Sequence, residues 1–330
     1  MPKKRKPPRL PHGTFQELSY RELSPNPLNP RRLFDKAPLQ VLEESIREVG
    51  ILVPLTVYQE RRTEKYYIVD GERRWRCAQN IETDVKDPRN VPIPANVVDP
   101  PTNVANLLWM FNIHNLREQW ELMPTALSLK VLINELKEDD EDKLAKLTQL
   151  SGPHVRRCKI LLSYPKTYHL MMLVQDPGQR MRANFFIEMH PVLDLYSKLP
   201  KHCRAGKSRN ELTDHFIKMY HTGGIKSVIH FRRILEAYDY LYDDRERRHD
   251  FNRAAELLAR RSDQSIRSLF DPLIAEDKSV AKAEATCKEF LKSIKRFRIE
   301  HVSKRANLRR ILLSIRKYVD DLLDKLEGDQ

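Results

Sequence analysis

The stretch KYYIVDGERRWRCAQ, residues 65–79, decides how the rest of this 330-residue chain is read. Tyr66, Tyr67, Ile68 and Val69 are aromatic or β-branched and suit a pleated strand, and Asp70-Gly71 breaks the run. From Glu72 onward the pattern reads as a helix. Its acidic first turn matches the positive helix end, and Gly71 admits a positive φ or the close approach of a ligand. A helix that starts behind a glycine and carries Arg73, Arg74 and Arg76 presents N–H groups and guanidinium forks to one point, as a phosphate site requires. A solvated, charged helix start would give the same letters.

Residues 26–57, NPLNPRRLFDKAPLQVLEESIREVGILVPLTV, lie just upstream. Leu39, Leu42, Ile46 and Val49 recur at helical spacing and predict a core-facing stripe, with Pro38 in the first turn and Gly50 as the stop. Leu55–Gln59 and Tyr66–Val69 read as strands joined across a charged turn, and Ile93–Val98 as another. This order predicts a small mixed sheet flanked by helices. The run from Asn26 to Gln79 has an asparagine-proline entry, a proline-arginine pair, a helix closed by glycine, a proline-led strand and a Gly-Glu-Arg-Arg box. In that order these elements closely resemble the N-terminal domain of ParB-type partition proteins.

Composition narrows the classes of function. Lys and Arg number 59 against 46 Asp and Glu, a net charge of +13, which points to a polyanionic partner. The longest apolar stretch, Ile51–Val57, has seven residues and contains a proline, so no membrane span is expected. No secretory leader is expected either, because Met1–Arg9 is basic with no apolar run behind it. Met1–Leu10, MPKKRKPPRL, reads as a disordered basic arm. Cys77, Cys158, Cys203 and Cys287 are too far apart for a zinc pattern and fit buried thiols in a reducing compartment.

Behind the first domain the chain reads as helical. Asn106–Leu136 is interrupted near Asn112–Glu118 and again before Pro124. Glu141–Ser163 has the spacing of a helix-turn-helix: Ala145 where the helices approach, Val155 where the second helix locks, and Leu144, Leu150 and Cys158 inward. Ser151 caps the second helix and Pro153 starts it, while Gln149 stands where the turn usually has glycine. His154, Arg156, Arg157 and Lys159 are expected on or near the exposed face and, with Ser151, are the residues expected to meet bases or phosphates. Further on, Phe231–Arg261 is amphipathic and Asp271-Pro272 interrupts it. Phe290–Leu326 is almost free of breakers, with a stripe of Leu308, Ile311, Ile315, Val319, Leu322 and Leu326. Lys292–Lys317 carries ten Lys or Arg against one Glu, which suits a phosphate-contacting surface or the wet face of a dimer.

The resemblance implies more than the residues alone. It implies an α+β N-terminal domain, ParB/sulfiredoxin-like, followed by mostly α helix-turn-helix and helical C-terminal regions. The expected divisions are 1–14 (arm), 15–104 (nucleotide pocket), 105–228 (helix-turn-helix, about 141–163) and 229–330 (dimerisation or DNA-backbone contact). It implies CTP with Mg2+ bound through three boxes. Gly71, Glu72, Arg73 and Arg74, with Arg76, would surround the triphosphate, and Gly50 and Pro54 map to the first box, where Val53 replaces a glutamine. The third box, normally Glu-Asn-x-x-Arg, falls on Asn112, Asn115 and Arg117, with Asn112 or Asn115 as the metal-holding amide and Phe111 or His114 in place of the acid. Losing that carboxylate predicts slow or absent hydrolysis. The family further implies an inverted-repeat DNA site, a homodimer, a ParA-type ATPase partner and a cytoplasmic, nucleoid- or plasmid-associated protein serving partition. A transcription or copy-number regulator indifferent to nucleotide, or a nuclease or phosphotransferase on the same fold, would use the same residues. Sulfiredoxins use a cysteine near the equivalent turn, from which Cys77 is displaced. Ala205-Gly206-Lys207-Ser208 imitates the end of a phosphate loop, but Lys201 stands at the opening glycine position.

Overall fold

The computed structural model describes residues 13–60, 64–115, 121–296 and 305–328. The basic arm expected at 1–14 therefore lies largely outside the described residues, and Thr14 already belongs to a strand.

Strands β1 (Thr14–Leu18), β2 (Leu23–Pro25), β3 (Leu55–Gln59), β4 (Tyr66–Asp70) and β5 (Ile93–Val98) form one mixed sheet in the order β1-β5-β3-β4-β2. β1 and β5 are antiparallel, β5 and β3 parallel, β3 and β4 antiparallel, and β4 and β2 parallel. Alternation along the strands separates two faces. Leu55, Val57, Ile68, Ile93 and Ala95 face helices α1 (Lys36–Val49) and α2 (Glu72–Glu82), where they pack with Ile46, Trp75, Ala78 and Ile81. Tyr58, Val69 and Val98 face α3 (Asn103–Asn115), where Trp109 and Met110 cover them. The stripe expected on α1 is core at Leu39, Leu42 and Ile46, whereas Val49 is exposed, so the apolar face ends before the helix does. α3 thus closes the second face of the sheet.

Helices α4 (Leu122–Leu136), α5 (Glu141–Thr148), α6 (Gly152–Leu162), α7 (Lys166–Met171), α8 (Ala183–Lys198), α9 (Arg209–His221), α10 (Phe231–Leu241), α11 (Arg245–Arg260) and α12 (Ile266–Phe270) enclose a second core that runs from Met123 to Ile274. It continues from Ile225 to Phe231. Phe231 stacks edge-on against Phe185 and Phe216, 5.5 Å between centroids in each case, and these rings join α8, α9 and α10 into one unit. Pro124 sits inside the first turn of α4, where its missing N–H costs nothing, so the helix starts before it.

Two long helices follow, α13 (Ala275–Arg296) and α14 (Arg305–Gly328). α13 has no buried residue, and Val280, Phe290, Leu291, Ile294, Ile311, Leu312, Leu313, Val319 and Leu323 on the two helices are exposed. The helix expected from Phe290 begins at Ala275; residues 297–304 lie outside the described residues.

Candidate functional site

The turn between β4 and α2 takes the shape the sequence demanded. Gly71 has φ +101° and ψ 17°, a conformation that L side chains rarely adopt. A Cβ there would lie 2.5 Å from Leu55 Cγ and 2.9 Å from Arg74 Nη2, so the close approach is to this chain's own side chains.

The three arginines that follow do not aim at one point, because successive helical residues are turned about 100° apart. Arg74 turns back one turn to pair with Asp70 at 3.0 Å, and its other nitrogen donates to the carbonyls of Val53 and Pro54. Arg76 makes the same backward step to Glu72, at 2.6 and 3.0 Å, and its Cζ sits over the Phe34 ring, 3.9 Å from the centroid. Glu72 is itself buried and accepts from Asn29 Nδ2, so this carboxylate ties α2 to the asparagine-proline entry. Arg73 lines a cavity, while donating to Pro38 O at 3.2 Å.

That cavity, about 270 Å³, is walled by Arg31, Arg32, Phe34, Asp35, Pro38, Arg73, Glu121 and Pro124. Its volume is under the roughly 300 Å³ lower end of small-molecule sites, enough for a phosphate tail and not for a whole nucleotide. Three guanidiniums suit an anion. Arg31 and Arg32 were not singled out as ligands from the sequence, although the signal, an arginine pair directly after Asn-Pro, stands in the quoted stretch. Gly50 closes α1 at φ +71° but lines a different cavity, with Arg47 and Arg89. Pro54 contributes its carbonyl to Arg74. Asn112 and Asn115 lie on the last turn of α3, where the backbone alone is described, and Arg117 lies outside the described residues. Phe111 is buried core, so the frame that sets it at the acid position offers packing there and no ligand.

The helical pair has the geometry of a helix-turn-helix. Gln149 closes α5 in the left-handed region, φ 58° and ψ 18°, doing with an amide side chain what glycine does elsewhere. Ser151 Oγ accepts from His154 N at 3.4 Å and caps α6, and Leu144, Val155, Cys158 and Leu161 are buried beneath. Arg156 is exposed and pairs with Glu141 at 3.1 Å; Lys159 pairs with Asp139 at 3.1 Å; Arg157 donates to Asn184 Oδ1. His154 is half-buried, and burial, then the nearby Arg157 charge, holds its pKa below the ordinary value. It is therefore neutral at neutral pH. Lys207 of the phosphate-loop look-alike donates to Ala259 O at the end of α11, as a helix-closing cation.

Known proteins resemble this chain in sequence. A family model described as "ParB N-terminal domain" matches residues 5–106. The chain carries a ParB N-terminal domain. Chromosome-partitioning protein ParB of Caulobacter vibrioides is 34% identical over 155 residues, 46% of this chain and 48% of that one. Stage 0 sporulation protein J of Bacillus subtilis is 32% identical over 158 residues, 48% of this chain and 52% of that one. The chain thus spans about half the length of the curated relatives it matches. Among solved structures, C-terminally truncated ParB of Caulobacter crescentus complexed with CTP-gamma-S aligns at 28% identity with a TM-score of 0.28, covering 55% of this chain and 96% of that one. In this ParB N-terminal domain the Gly-Glu-Arg-Arg box is divided, Arg73 toward the cavity and Arg74 toward the loop before β3.

Proposed function

We propose that this protein is a ParB-type partition protein that binds double-stranded DNA and uses a bound triphosphate as its switch. The observation that carries the reading is the order of parts: a ParB N-terminal domain with an arginine-lined cavity, followed directly by a capped helix-turn-helix with Arg156 on its second helix. Two such units reading an inverted repeat require two copies of the chain, and the exposed apolar residues of α13 and α14 supply a surface for homodimerisation. The net charge of +13 supplies salt-dependent attraction to the phosphate backbone.

The nucleotide is CTP, held by its phosphates at Arg31, Arg32 and Arg73. Mg2+ accompanies the triphosphate, and hydrolysis is slow or absent because neither frame of the third box supplies its glutamate. Preferential binding to the closed dimer shifts the population toward a clamp around DNA. A ParA-type ATPase is the partner, and the protein is cytoplasmic, on nucleoid or plasmid; among the described residues no helix is long and apolar enough to cross a membrane.

The test is selection of duplexes from a random-sequence pool by the full chain. Enrichment of a two-fold symmetric sequence, lost in Arg156→Ala/Arg157→Ala, is the expected result. Enrichment of nothing, or retention of the same sequence by that variant, would contradict it.

A further inference from the structure

The arginine cavity has two carboxylates in its wall, Asp35 and Glu121, and both are held from behind by a residue that does not line it. Arg180 is nearly enclosed, its side chain 8% exposed. It donates through Nη2 to Asp35 Oδ1 at 2.7 Å and to Gln175 O at 2.9 Å, through Nη1 to Glu121 Oε1, and through Nε to Val174 O at 2.7 Å. The same turn grips the cavity wall a second time. Gln175 Nε2 donates to Arg32 O at 2.9 Å, and its Oε1 accepts from Phe34 N at 3.3 Å. The turn that follows α7 therefore holds the segment carrying Arg31 and Arg32, together with the first residue described after the third box.

We infer that Arg180 is a positioning residue of the anion site: it neutralises Asp35 and Glu121 from outside the cavity and so lets Arg31, Arg32 and Arg73 attract a polyphosphate. Among the described lining residues, three guanidiniums and two carboxylates leave a narrow cationic excess, and a guanidinium bridging both carboxylates widens it. Without that bridge, two unpaired carboxylates face the incoming phosphates, and like charges within a few ångströms repel it. This inference rests on the triphosphate reading of the cavity. By reciprocity of linkage, an anion in the cavity also strengthens the grip of the 174–180 turn.

The experiment is equilibrium binding of inorganic tripolyphosphate and of CTP, each with and without magnesium, to the full chain. Arg180→Gln is expected to weaken both about tenfold. Adding Asp35→Asn and Glu121→Gln to it is expected to restore binding to within about threefold of wild type, because the carboxylates that need neutralising are gone. Asp35→Asn/Glu121→Gln with Arg180 intact is expected to bind at least as tightly as wild type, which keeps the inference testable if Arg180→Gln does not fold. Asp35 makes no side-chain cap on α1, so its substitution removes no capping bond. If Arg180 only braces the fold, the triple variant binds as weakly as Arg180→Gln, and the inference is overturned. Wild-type binding lost in Arg73→Ala but unchanged in Arg180→Gln overturns the inference alone. Absence of binding to wild type overturns the triphosphate reading and the inference together.

Discussion

At the scale of single residues, two positions carry backbone conformations that the fold cannot trade freely. Gly71→Ala would put a Cβ 2.5 Å from Leu55 Cγ at φ +101°. Urea denaturation should show a loss of about 2 kcal/mol or more, since an αL residue outside glycine costs 1–2 kcal/mol before any clash is added. Gln149 is the converse case, an L-residue at φ 58°. Gln149→Gly should gain about 0.5–1 kcal/mol, the left-handed penalty removed less the larger entropy of glycine; a loss of stability would show that the Gln149 side chain matters more than its backbone. The glycine positions were legible in the sequence for this physical reason, and so was the cap at Ser151. The pairings of Arg74 and Arg76 follow from the i,i+4 spacing of Asp70-Arg74 and Glu72-Arg76, which lets a carboxylate claim each guanidinium.

At the scale of elements, Arg156 and Lys159 of α6 are already in local ion pairs. Exposed pairs such as Arg156–Glu141 are worth about 0–1 kcal/mol, so DNA phosphates can displace the acid. Arg156→Ala should leave stability nearly unchanged and lower the slope of log K against log salt by about 0.9, the release of one phosphate contact. An unchanged slope in a fluorescence-anisotropy titration would remove Arg156 from the interface. The three strands predicted from β-branched and aromatic runs are β3, β4 and β5, whereas β1 and β2 were not anticipated. TFQEL and LSP are short and carry little periodicity, and β1 is held by β5 across a separation that no local pattern displays.

At the scale of the whole molecule, the two cores hide three of the four thiols, Cys77 beneath the sheet and Cys158 and Cys203 in the core that joins Met123 to Ile274. Burial pushes the Cys77 and Cys203 thiols up to about 11 and that of Cys158 to about 12, while Cys287 on α13 is exposed. A native-state thiol titration should therefore find one fast-reacting cysteine per chain; more than one would mean that the core is open. The same core depresses His154, His169, His190, His215 and His230, burial being the largest cause for each. The unfolded chain takes up protons there near pH 6.5 while the folded chain does not, so it binds more protons and stability is lost as the pH falls. Thermal midpoints should decline from pH 7 to pH 5; a rise over that interval would contradict the burial. The continuity of this core was not legible, because the rings that join α8, α9 and α10 meet only in three dimensions.

The central claim is that the arginine-lined cavity takes a triphosphate. Equilibrium dialysis of the full chain against labelled CTP, GTP, ATP and UTP, with and without duplex DNA, tests it most directly. CTP is expected to be retained, more strongly when DNA is present, and folded Arg73→Ala to lose at least tenfold in affinity. Retention of no nucleotide, or equal retention by Arg73→Ala, would contradict it.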